Sequence, residues 1–109
     1  MKCTAVINAG VCGFETSAAA DSADDQMVTL TIESDCERIT RLGEALNGKP
    51  IDGYEEIAAG FGGAVLSAAR ETLSGCCAGC AVPAGIFKAL QVAARVALPR
   101  EVKIALSGE

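Results

Sequence analysis

Three of the six cysteines in this 109-residue chain fall within Cys76–Cys80, in the segment "SGCCAGCAVPAG". The others stand apart, at Cys3, Cys12 and Cys36. Thiolates are both soft metal ligands and nucleophiles, so thiols in loops and at helix starts point to metal binding or to thiol–disulfide exchange. Cys77 and Cys80 have C-x-x-C spacing, which makes a good chelate bite, but a zinc ribbon needs a second such pair and the sequence has none. The chain contains no histidine. A four-ligand site must therefore draw on cysteines, carboxylates or an outside ligand, and Ser67 and Ser74 have no imidazole to activate them for hydrolysis. "GFGGAV" lacks the Lys-Ser/Thr of a phosphate-binding loop, and its glycines read as a hinge or a close-packing device.

The placement of the thiols sharpens the chemistry. Cys12 lies in "GVCGF", between two candidate strands, where flanking glycines let the backbone approach whatever the sulfur holds. Cys36 falls in the first turn of a predicted helix, directly after the strongest strand pattern. Cys80 lies just ahead of another predicted helix, with Cys76 and Cys77 in the loop before it. A helix N-terminus carries unpaired amide donors and partial positive charge, an environment that favours thiolate, the form that binds metal or attacks. Cys3, inside a candidate strand, reads instead as a small buried apolar residue. Asp24, Asp25 and Glu33 read as solvated acid, and Glu55–Glu56 and Arg70–Glu71 as helix surface.

These positions require a set of elements to carry them. "KCTAVIN" (2–8) reads as a short strand and "GFETSAAAD" (13–21) as a weaker one, with the acidic "DSADD" as an exposed turn. "MVTLTIE" alternates Val28, Leu30 and Ile32 against Thr29, Thr31 and Glu33, which predicts a strand with one buried face. Ser34 and Glu37 have capping-box spacing, and Ile39, Leu42 and Leu46 follow as a helical stripe that stops near "NGKP". "IDGYEEIAAGF" and "GAVLSAARETL" predict two further helices. Pro83 suits the first turn of the next helix, whose stripe is Ile86, Leu90, Ala93, Ala94 and Ala97. "REVKIALSG" alternates Val102, Ile104 and Leu106, which predicts a closing strand. Strands, then helices, then one strand define an α+β fold: a small antiparallel sheet of three to four strands with helices packed on one face.

Composition bounds the rest. The length suits one domain spanning 1–109, and an apolar fraction of 50% supports a core without disulfide staples. A net charge of −5, without a basic cluster and with few aromatics, argues against nucleic-acid binding. "MKCTAVINAG" lacks the apolar stretch of a signal peptide and no apolar run reaches membrane-spanning length, so a cytoplasmic protein without a membrane partner is expected. Thiols are mostly reduced there, which favours metal or redox chemistry over structural bridges.

The order "CGF", strand, "SDCERITRLGEALNGKP", "CCAGCAVPAGIFKALQVA" resembles the iron–sulfur cluster scaffold proteins of the NifU/IscU type across residues 12 to about 95. That resemblance implies a fold like theirs, Cys12, Cys36 and Cys80 as ligands, and a transient [2Fe–2S] cluster, or zinc in its place. It also implies a protein donor or acceptor, as for a scaffold or carrier. Phe14 stands where that family has aspartate and no histidine precedes Cys80, so the fourth ligand falls to Cys76 or Cys77. The chain also looks like small uncharacterised proteins with a "CGF…DC…C-x-VP" signature. The expected function is metal binding rather than catalysis. The alternatives are a thiol–disulfide redox protein using Cys77 and Cys80, and a non-catalytic interaction module whose thiols are incidental.

Overall fold

A computed structural model describes residues 1–76 and 79–109; Cys77 and Ala78, and with them one proposed ligand and one partner of the proposed redox pair, lie outside the described residues. The chain forms an antiparallel meander, β1 (Lys2–Asn8), β2 (Glu15–Asp21), β3 (Met27–Ser34) and the short β4 (Ile51–Asp52), in spatial order β1-β2-β3-β4. The helices are α1 (Glu37–Leu46), α2 (Gly53–Ala59), α3 (Ala64–Thr72) and α4 (Val82–Ala93), with a 3₁₀ turn at Gly60–Gly62 between α2 and α3. This is the expected α+β class, with a four-stranded sheet and four helices packed against it. No helix among the described residues is long and apolar enough to cross a membrane.

Period-two alternation sets the register. Cys3, Ala20 and Leu30 form one inward rung, Ala5, Ala18 and Ile32 the next, and Ile7, Thr16 and Ser34 the last. The opposite face carries Thr4, Val6, Ser17, Thr29 and Thr31, short or β-branched side chains suited to a solvated sheet surface. β2 lacks large side chains on its inner face because α4 lies directly upon β1 and β2. Gly85 makes the closest approach, since a Cβ there would sit 2.5 Å from Ile7 Cδ1.

Helical stripes complete the core. α1 buries Ile39, Leu42, Gly43 and Leu46, the i, i+3, i+4, i+7 spacing of one face. Gly43 abuts β3, where a Cβ would stand 3.1 Å from the Ile32 carbonyl oxygen. α4 buries Val82, Ile86, Ala89, Leu90 and Ala93, and Leu30, Leu42, Ile86 and Leu90 are almost wholly enclosed. Each such side chain contributes about 1.5–3 kcal/mol by leaving water. α4 ends in paired hydrogen bonds from Arg95 N–H to the Val92 carbonyl and from Val96 N–H to the Gln91 carbonyl, with Arg95 at φ 61°. That is the Schellman pattern, here with arginine in the left-handed position usually held by glycine. The Arg95 Nε donates at 2.9 Å to Asp25, the other non-glycine residue at positive φ, so the two turns hold each other.

Three expectations are corrected. "REVKIALSG" (100–108), expected to close the sheet as a strand, is exposed and pairs with no strand among the described residues. Alternation alone does not supply a pairing partner. Ser34 and Glu37 do not form a capping box: the helix cap is Cys36, Ser34 Oγ accepts from the Cys36 amide at 3.0 Å, and Glu37 pairs with Arg41 at 2.8 Å. Glu56, expected on a helix surface, is buried, and its carboxylate accepts from the amides of Ala64 at 2.6 Å and Val65 at 3.2 Å. It thereby satisfies orphan donors at the start of α3, a role normally taken by the cap residue, which here is Gly63.

Candidate functional site: the thiol-bearing end of the sheet

The last inward rung defines one end of the molecule. Thr16 Oγ1 and Ser34 Oγ share a hydrogen bond of 2.7 Å, and the same Ser34 oxygen accepts the Cys36 amide. Thr40 Oγ1 donates to the Cys36 carbonyl at 3.0 Å, fixing the first turn from the other side. Cys36 is thus pinned where β3 becomes α1, half-buried and packed against the core. The Asp35 amide reaches the Glu15 carbonyl at 3.3 Å, so this corner is also tied to the base of the β1–β2 hairpin.

That hairpin carries Cys12. Gly10 and Gly13 adopt φ of 87° and 73°, conformations open to glycine at little cost, and the Gly13 amide closes on the Gly10 carbonyl at 2.9 Å. Cys12 sits exposed at the tip beside the fully exposed Val11. Because Asn8 pairs with Glu15 and Thr16 with Ser34, the tip overhangs the same sheet end that holds Cys36.

The segment between α3 and α4 reaches this end too. Arg38, in the first turn of α1, donates through Nη1 to the Ser74 carbonyl at 2.6 Å. The Cys76 amide closes on the Leu73 carbonyl at 2.9 Å after Gly75 turns at φ 82°. Cys76 is exposed, whereas Cys80 is half-buried against the core just ahead of α4, whose first turns rest on Ile7 through Gly85. Cys3 lies elsewhere, half-buried on β1 and packed against the core, the bland role expected of it.

Cys12, Cys36, Cys76 and Cys80 therefore share one end of the sheet at the level of the elements that carry them, and all are free thiols. They do not form a closed cage. Among the described residues no three Cys, Asp or Glu side chains stand close enough together to hold a metal ion. The donor chemistry fits a soft metal, but the described ligands are not gathered around one point.

Cys76 and Cys80 also border an open groove of about 720 Å³ between α3 and α4, walled by Leu66, Leu73, Pro83 and Phe87 with Arg70 and Lys88 among its lining residues. This groove leaves no signature in the sequence, because it arises from two helix faces meeting and neither face alone encodes it. The Ser34 role had a readable signal: a hydroxyl two residues before the Cys36 amide is a local side-chain–backbone turn that competes with the capping box.

Carboxylates shifted by their surroundings lie at the opposite sheet end. The Met27 and Gln26 amides hold the Asp24 carboxyl below the usual carboxylate range. Asp52 is lowered likewise, first by the Gln26 side-chain amide and then by the Glu55 amide at the start of α2.

A four-stranded antiparallel meander covered on one face by helices, with free thiols gathered at one end, defines the class of protein. Residues 3–106 match the family of unknown function DUF6951, and the chain belongs to that family. Comparison with curated proteins and with solved structures gave no match.

Proposed function

We propose that this chain is a metal- or iron–sulfur-binding protein that uses cysteine thiolates, with Cys12, Cys36 and Cys80 as ligands and Cys76 or Cys77 as the fourth, acting as a scaffold or carrier in a reducing compartment. The observation that carries the reading is that loops distant in sequence bring their thiols to one end of the sheet, tied together by the Arg38–Ser74 and Asp35–Glu15 hydrogen bonds. The tip at 10–13 and the segment at 74–80 must close over Cys36 for binding. Both are glycine-bearing, and both side chains that must travel, Cys12 and Cys76, are exposed. Thiolate ligation accommodates zinc or a [2Fe–2S] cluster, the latter adding one-electron chemistry. Anaerobic purification followed by iron, zinc and acid-labile sulfide analysis tests the proposal. Wild-type protein should carry metal and Cys36→Ala should lose most of it; wild-type protein free of all three would count against the reading.

A second reading has its own support. Cys80 lines the groove between α3 and α4, and Cys77 with Cys80 would form a dithiol pair able to pass two electrons and two protons to an external disulfide. That reading predicts a reversible intramolecular disulfide and indifference to Cys12→Ser and Cys36→Ser. The metal reading predicts the reverse dependence.

A further inference from the structure

The fold leaves a sheet edge without a strand and a strand pattern without a sheet. β1 is an outermost strand, seven residues long and in unbroken register with β2. Its inward residues Cys3, Ala5 and Ile7 are only half-buried, whereas their β2 partners Ala20, Ala18 and Thr16 are fully enclosed. The difference follows from the missing neighbour on the outer side. A long regular edge is normally blunted by proline, a bulge or repeated lysine; β1 has Lys2 alone.

The tail supplies the complementary half. The Arg100 amide closes on the Leu98 carbonyl at 2.9 Å, a tight turn about Pro99, and every residue after it is exposed. Val102, Ile104 and Leu106 are 57%, 73% and 93% exposed, and they alternate with Glu101, Lys103 and Ala105. This apolar stripe of strand period lies outside the core and is largely open to solvent, the mark of a surface that a partner covers. The family match runs through residue 106, so the tail belongs to the unit that the family shares.

We infer that the tail, residues 101–107, adds to the β1 edge of a second copy as a fifth strand, and that the partner's tail returns the exchange. Backbone hydrogen bonding to the free edge supplies affinity, and Val102, Ile104 and Leu106 cover the flank that Cys3, Ala5 and Ile7 leave open. Reciprocal exchange about a twofold axis satisfies both unpaired halves at once and closes the assembly at two chains. The tail departs near Met1, Asp25 and Arg95, at the end of the sheet opposite the thiols, so its anchor point does not obstruct the candidate site.

The test uses the full chain and an Ile104→Asp variant, compared by sedimentation mass across a concentration series and by amide hydrogen exchange along β1. Ile104 is largely exposed and lies outside the core, so the variant should keep the wild-type helical circular dichroism and fold. The exchange predicts a two-chain mass and protected β1 edge amides for wild type. For Ile104→Asp it predicts the 11.0 kDa mass of one chain and loss of that protection. A wild-type monomer overturns it. If β1 is nonetheless protected in that monomer, and Ile104→Asp abolishes the protection, the tail folds onto its own edge. A dimer that survives Ile104→Asp with β1 unchanged overturns it too, assigning the contact to another face.

Discussion

Single side chains at this fold's corners do work that their residue types advertise only in part. Asn47, in the "NGKP" stop, does more than end α1. Its Oδ1 accepts the Ile32 amide at 2.7 Å and its Nδ2 donates to the Ile32 carbonyl at 3.2 Å, so one side chain stands in for a neighbouring strand where β4 does not reach. Asn47→Ala should therefore lower unfolding free energy by about 1–3 kcal/mol, measured by urea denaturation, because both backbone groups of a buried residue lose their partner. Asparagine after a helical stripe was readable as a stop, while its bond to a residue fifteen positions back was not. The same holds for Glu56: adjacent glutamates at 55 and 56 look alike in sequence, yet only Glu56 turns inward to hold the start of α3. A Cβ at Gly63 would come within 2.7 Å of Glu56 Oε2, so the glycine is part of the same device.

Elements with strong periodicity were legible almost to their ends. β3 and the stripe of α1 follow directly from alternation and from i, i+3, i+7 spacing, because both bury one face against a continuous core. The alanine-rich β2 gave a weak strand pattern for a physical reason: its small residues serve the approach of α4, a requirement that arises only in three dimensions. The closing segment failed in the opposite way, with good alternation and no strand beside it. Caps at the far sheet end carry a pH prediction. Asp24 and Asp52 have carboxyls lowered by donors in the folded state, so the stability they add is present above the ordinary aspartate range and is lost as pH falls through their lowered values. In thermal melts, wild-type protein should exceed Asp52→Asn at neutral pH, and the gap should narrow to nothing in acid. A gap that persists at low pH would show that the Asp52 charge is not what holds the start of α2.

For the whole molecule, the arrangement is a sheet with two distinct ends. One end gathers Cys12, Cys36, Cys76 and Cys80 on loops set by the last rung of the sheet. The other is locked by Asp25 and Arg95 and releases the tail. Cysteines beside glycine turns and helix starts stood out in the sequence, although Cys36 and Cys80 pack half-buried against the core, and the common end of the four followed once the strand register was known. Whether they close around one ion depends on loop movement that neither spacing nor register encodes. Cobalt(II) titration under reducing, anaerobic conditions reads that closure directly, since thiolate ligation gives intense sulfur-to-metal charge-transfer absorption. The account predicts bands that saturate at one ion per chain and that Cys12→Ser, Cys36→Ser and Cys80→Ser each weaken; titration without such bands, or bands indifferent to all three substitutions, would contradict it.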